Sequence, residues 1–226
     1  MSRDWTARVE VEPSLYAADF ARLGEQARAL LDAGASVFQW DVGDGHFIPP
    51  ITMGPIVLEA IAPLVHEAGG ILDVHLMVDQ PERHLEQFAE AGADGVTVHV
   101  EVSPDLPRTV ELARGLGLEA GMALNPETAV EAAAAAAEAS GVDLVLCMSV
   151  HPGYSGQAFI PESIDRVRRL RELLPDEVAI QVDGGVGPEN IRGLRDAGAT
   201  LFVAATAIFG HDDVGAAYRR LADAVA

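Results

Sequence analysis

The chain has 226 residues and a mass of 23.8 kDa, enough for one large domain or two small ones, and its 49% hydrophobic residues supply a sizeable core. Asp and Glu number 35 against 15 basic residues, a net charge of −20, which argues against nucleic acid and the anionic membrane surface as partners. All 15 basic residues are Arg, so chemistry that needs a lysine imine is excluded.

Short β-like runs alternate with helical patterns from end to end. The predicted strands are RVEVE (8–12), SVFQWD (36–41), ILDVHLMV (71–78), GVTVHV (95–100), LEAGMAL (118–124), DLVLCMSV (143–150), VAIQVD (178–183) and TLFVAA (200–205). Between them lie amphipathic stretches such as 19–34, 81–92 and 188–198, several closing on the same phrase: DAGA, EAGAD, DAGAT. Glycine there can adopt the left-handed conformation that stops a helix. AVEAAAAAAEASG (129–141) reads as a plain Ala-rich helix, and RVRRLRELL (166–174) as a solvated helix face rather than a basic docking patch. About eight βα units of similar length, with no linker, predict a single-domain (β/α)₈ TIM barrel over 1–226. A doubly wound open sheet is the competing arrangement.

The one cysteine, Cys147, sits inside an apolar run and reads as a small buried hydrophobe. The N-terminal MSRDWTARVE has no apolar leader and no run reaches membrane-span length, so the expected location is cytoplasmic.

In such a barrel the active site lies at the C-terminal strand ends. Those ends carry Ser14, Asp41, the Asp73–His75–Met77 series, Met148–Ser149, Asp183–Gly184–Gly185 and Ala205–Thr206. Asp41 and Asp183, on the second and seventh strands, could approach a ligand from two sides, one removing a proton and the other returning one. Either could instead cap a helix or close a turn. With His75 they could also hold a divalent metal, although an inert core histidine is the common alternative. His99 is expected to end its strand beyond the core, and His46 to lie at the rim. Glycines in HPGYSGQAF (151–159) and at 184–185, beside helix starts, suggest amides that bind a phosphorylated small molecule.

The phrases EPSLYAADFARLG (12–24), DVGDGHFIPPITMGP (41–55), LDVHLMVDQPERH (72–84), AGADGVTVHVE (91–101), ALNPET (123–128), MSVHPGYSGQAFIPES (148–163), VDGGV (182–186) and VAATAIFG (203–210) together resemble the ribulose-phosphate 3-epimerase family over essentially the whole chain. The resemblance implies epimerisation at C3 of a ketose phosphate, D-ribulose 5-phosphate to D-xylulose 5-phosphate, through an enediolate. It implies Asp41 and Asp183 as the two bases, and Asp41, His75 and Asp183 as ligands of a divalent cation (Zn, Mn, Fe or Mg). Ser14, His75, Met77 and Met148 would contact substrate. Phosphate would rest near Gly153, Gly156, Gly184, Gly185, Ala205 and Thr206. A homo-oligomer is compatible with the family.

The departures cluster at the site. Gln39 stands where the family has a fourth metal ligand, His. Gly43 replaces Met, Pro50 and His151 each replace Asn, and Ala205–Thr206 replaces Gly-Ser. Gln39 would weaken zinc retention, and His151 could compensate. Trp40, Gly43 and Pro50 could reshape the pocket for a hexulose 6-phosphate. A non-catalytic phosphosugar-binding paralogue is the third reading.

Overall fold

A computed structural model describes residues 5–226. Its strands are β1 (Glu10–Pro13), β2 (Val37–Gly43), β3 (Ile71–Met77), β4 (Gly95–His99), β5 (Glu119–Leu124), β6 (Leu144–Met148), β7 (Ala179–Asp183) and β8 (Leu201–Ala204). Each falls within two residues of its predicted bounds. They pair in parallel in the order β1-β8-β7-β6-β5-β4-β3-β2. A single bridge between Ser14 and Gln39 joins β1 to β2 and closes the barrel.

The helices are α1 (Leu23–Asp32), α2 (Pro55–Glu67), α3 (Leu85–Glu90), α4 (Leu106–Gly115), α5 (Val130–Ser140), α6 (Ser163–Leu173), α7 (Ile191–Ala197), α8 (Thr206–Phe209) and α9 (Val214–Val225). The shared phrase after α1, α3 and α7 does what its glycine suggested, since Gly34, Gly92 and Gly198 all take positive φ. The arginines of α6 are spent locally. Arg168 and Arg169 pair with exposed acids. Arg166 donates to the carbonyls of Asn125 and Thr128, and Arg171 to those of Leu174 and Val178.

Side chains alternate along each strand, and the alternation sorts the barrel into two cores. Phe38, Trp40, Leu72, Val74, Val145, Cys147, Ile180 and Phe202 point outward and pack beneath the helices. Cys147 is therefore the buried hydrophobe its neighbours predicted. Val37, Leu144, Leu146, Ala179 and Leu201 point inward, where Trp5 packs among them. Four of those five belong to strand starts or lie beside them, so Trp5 stoppers the N-terminal end of the barrel. Above that apolar plug the inward positions turn polar: Glu12, Gln39, Asp73 and Gln181, then Asp41, His75, His99 and Asp183. This polar upper half of the barrel, open only at the C-terminal strand ends, positions the site.

Candidate active site

Three strands converge on one point. Asp41 and His75 are register partners on β2 and β3, and Asp183 ends β7. His75 Nδ1 stands 3.2 Å from Asp41 Oδ1 and 3.7 Å from Asp183 Oδ2. One ligand atom from each residue lies within 4.8 Å of the other two. Ser14 Oγ donates to Asp41 Oδ2 at 2.5 Å. Burial first, and then the charge of Asp41, push the Asp183 carboxyl up to about 7, while His75 and the Gly184 N–H pull it back.

Above these groups opens a cavity with no arginine among the described residues that line it. Two carboxylates therefore share this end of the barrel with His75 and no arginine to balance them. A divalent cation would supply balancing charge, and two carboxylate oxygens with one imidazole nitrogen are a donor set for zinc, manganese, iron or magnesium. The residues fit the group.

Beneath the triad lies a fully buried ring that only partly shows in the sequence reading. Gln181 Nε2 donates to Glu12 Oε2 at 2.6 Å and to Asp73 Oδ2 at 2.8 Å. The Gln39 amide has two orientations. In one its nitrogen is 3.4 Å from Asp41 Oδ1 and its oxygen accepts from Gln181 at 3.4 Å. Turned over, its nitrogen reaches Asp73 Oδ2 at 3.2 Å and Glu12 Oε2 at 3.3 Å. The turned amide satisfies two carboxylates that otherwise share one donor, so it is the better assignment. It also carries Oε1 to the Asp41 side, because turning exchanges the two atoms. Both buried acids resist ionisation. Burial and the Asp73 charge raise Glu12 well above the usual carboxylate range. Burial raises Asp73 to about 6, and the Gln181 hydrogen bond opposes it.

His99 corrects the expectation that it lies beyond the core. It is fully buried, and its Nε2 meets His75 Nε2 at 2.9 Å. On its far side Nδ1 lies 3.2 Å from Glu101 Oε2. Burial depresses the His99 pKa to about 4, against the upward pull of Glu101. The signal was available: inward positions on β4 are 95, 97 and 99, so the same parity that selects Thr97 selects His99.

Of the remaining predicted contacts, Ser14, Met77, Met148, Gly153, Gly156, Gly184, Gly185, Ala205 and Thr206 all line the cavity with Asp41 and Asp183. His75 is sealed under its floor, 0% exposed. Ser149 Oγ donates to the carbonyls of Asp183 and Gly184, pinning that corner. Gln157 Nε2 gathers the 151–157 loop by donating to the carbonyls of His151 and Tyr154. Gly184 has φ 118°, and a Cβ there would stand 2.8 Å from the Val150 nitrogen, so the chain turns in the only way that fits.

Three sequence expectations are redirected. His151 points away, its Nδ1 3.0 Å from Glu127 Oε1 on the exposed surface, and does not compensate for Gln39. Trp40 packs on the helix side of β2 and does not shape the cavity. Gly43 makes room for its own loop, since a Cβ there would meet the Pro50 carbonyl oxygen at 2.7 Å. Asp44 is a structural carboxylate. Burial opposes its charge, but the N–H groups of Asp79, His46 and Phe47 hold its pKa below the usual value.

A closed (β/α)₈ barrel with paired acids and glycine loops at its C-terminal face is an enzyme scaffold that hosts many chemistries. The pattern of the Ribulose-phosphate 3 epimerase family matches residues 10–209. The chain belongs to that family, and it is an epimerase. It is 45% identical over 206 residues to ribulose-phosphate 3-epimerase of Synechocystis sp., covering 89% of this chain and 87% of that one. To the Bacillus subtilis enzyme of the same name it is 40% identical, covering 91% and 94%. Among solved structures it is similar in fold to 3-hexulose-6-phosphate synthase from Salmonella typhimurium (TM-score 0.73, 15% identity, covering 96% and 98%). Among the described residues, no helix is long and apolar enough to cross a membrane.

Proposed function

We propose that this protein epimerises D-ribulose 5-phosphate to D-xylulose 5-phosphate at C3 by two-base proton transfer. The observation that carries the reading is that Asp41 and Asp183, on the separated strands β2 and β7, both reach His75 Nδ1, at 3.2 and 3.7 Å. Both line one cavity with the glycine loops. A binding protein has no use for paired carboxylates; a reaction that inverts a carbon has. One aspartate takes the C3 proton from one face and the other delivers a proton to the opposite face. Burial and the charge of Asp41 make Asp183 hold a proton more tightly than an ordinary carboxylate. The raised Asp183 suits a group that gives in one direction and takes in the other.

Asp41, His75 and Asp183 would hold the divalent cation, with Gln39 Oε1 as a weak neutral donor beside Asp41. When bound, such a cation supplies Lewis-acid polarisation of the carbonyl next to the reacting carbon. Ser14, by donating to Asp41 Oδ2, keeps the other oxygen of that carboxylate turned toward His75. Met77 and Met148 give the cavity an apolar wall that excludes water from the carbanion-like centre. The phosphate would be bound by backbone amides of Gly153, Gly156, Gly184, Gly185, Ala205 and Thr206, since among the described residues no arginine lines the cavity they share.

The test is a substrate series. Ribulose 5-phosphate is expected to turn over, unphosphorylated ribulose to bind far more weakly, and a hexulose 6-phosphate to turn over more slowly. Equal binding of sugar and sugar phosphate contradicts the phosphate site, and a preference for the hexulose contradicts the substrate assignment.

A further inference from the structure

The proposed ligand set gives His75 two chemically different ends. Its Nδ1 faces the aspartates, and its Nε2 faces a second buried imidazole, His99, at 2.9 Å. The two ring centroids are 5.0 Å apart with planes inclined by 26°. That separation is close to the nitrogen–nitrogen distance plus two ring radii, so the nitrogens point at one another and the rings do not stack face to face. Such a contact holds one proton, carried by one of the two nitrogens. The next link decides which. His99 Nδ1 stands 3.2 Å from Glu101 Oε2. A carboxylate only accepts, so His99 Nδ1 carries the hydrogen. His75 Nδ1 likewise faces a carboxylate, Asp41 Oδ1 at 3.2 Å; a cation on that nitrogen leaves it bare, and beside neutral His99, with its own bare Nε2, the shared proton then belongs to His75 Nε2.

Glu101 is itself held. Its Oε1 accepts from the Asn125 N–H at 2.8 Å and from the Thr128 hydroxyl. The Phe47 ring covers His99, with ring centroids 4.8 Å apart. Both rings of the chain are 0% exposed, so water cannot substitute for a missing acceptor.

We infer that His99 and Glu101 are positioning residues that accept the hydrogen of His75 Nε2 and so favour the tautomer whose Nδ1 is free for the cation. Neither residue touches the reacting atoms. Without them, the two neighbouring aspartates would draw the hydrogen to Nδ1, because an N–H there can donate to Asp41. That tautomer competes with the cation for the same nitrogen. Conserving one acceptor at each step of the chain removes the competition.

The inference rests on Asp41, His75 and Asp183 as the ligand set, and the experiment separates the two. Two-bond proton–nitrogen spectra of the ¹⁵N-labelled full chain read which ring nitrogen is protonated, first without metal and then with one equivalent of Zn²⁺. In the zinc-loaded unsubstituted protein His75 Nε2 is expected to be protonated, with zinc shifting Nδ1. His99→Phe keeps an aromatic ring beside Phe47 and removes the acceptor. The zinc-free variant is expected to hold the His75 hydrogen on Nδ1 and to bind zinc about 10- to 100-fold more weakly. Glu101→Gln, still able to accept one hydrogen bond, is expected to show a smaller loss. A bare His75 Nε2 in the zinc-loaded unsubstituted protein overturns the inference, and needs no variant to fold. So does a His99→Phe protein with unchanged zinc affinity. Zinc that leaves both His75 nitrogens unmoved overturns the ligand set itself.

Discussion

His75 Nδ1 is nearer to Asp41 than to Asp183, at 3.2 against 3.7 Å, because Asp41 is its register partner on the adjacent strand and Asp183 reaches it from across the barrel. The two acids are therefore inequivalent. The Asp41 side chain is 6% exposed and has one oxygen bound by Ser14, whereas the Asp183 side chain is 17% exposed and sits at a glycine turn.

That inequivalence has a kinetic consequence. Asp41→Asn and Asp183→Asn are each expected to lower epimerisation by about 10²- to 10⁴-fold. Each variant should still exchange the C3 hydron of one epimer with solvent, and the two variants should retain opposite epimers. Near-normal turnover in either variant contradicts two-base transfer, as does exchange of the same epimer by both.

Gln39 offers a second measurement. Its carbonyl oxygen is a poorer zinc donor than imidazole and suits harder ions. Gln39→His is expected to raise zinc affinity by about tenfold, read by competition with a chelator. Unchanged affinity would mean that Gln39 serves only the Glu12–Asp73 pair.

The buried ring predicts an unusual pH dependence for the metal-free protein. A folded-state pKa raised to about 6 means that Asp73 binds its proton more tightly folded than unfolded. Its contribution to stability is full below the unfolded value near 4 and is lost as pH rises through 6. Glu12 is raised in the same sense. His99, depressed to about 4, acts oppositely, with stability rising from pH 4 toward 6.5. Comparing Asp73→Asn with the parent cancels the His99 part. The variant is expected to be more stable by on the order of 1–3 kcal/mol at pH 8, with no gain near pH 4. Denaturant unfolding at the two pH values measures this, and a variant destabilised at pH 8 contradicts the assignment.

Gly184→Ala tests the phosphate loops. The added Cβ meets the Val150 backbone nitrogen at 2.8 Å, at a φ of 118° that a side chain disfavours. The corner must move, and its amide with it. KM for ribulose 5-phosphate is expected to rise at least tenfold while zinc affinity changes little. A normal KM contradicts phosphate binding at this corner.

The barrel was legible in the sequence because parallel strands covered on both faces are short apolar runs, and eight of them alternate with amphipathic stretches. The triad was legible because each member lies within the last three residues of its strand. What was missed follows from reading strand ends alone. Glu12 sits two residues before Ser14 and His99 two after Thr97, so period-two alternation already turned both inward. The Glu12–Gln181 contact, spanning 169 positions, needs barrel closure and cannot be seen in any local pattern. Pocket shaping by Trp40 failed on the same parity, since position 40 faces the helices when 39 and 41 face the axis.

The most direct test of the central claim is to incubate the protein with ribulose 5-phosphate in deuterated water. The expected result is xylulose 5-phosphate carrying deuterium at C3, with solvent deuterium also entering C3 of the recovered ribulose 5-phosphate. Xylulose 5-phosphate that keeps its original C3 hydrogen, or no xylulose 5-phosphate at all from metal-loaded protein, would contradict epimerisation by Asp41 and Asp183.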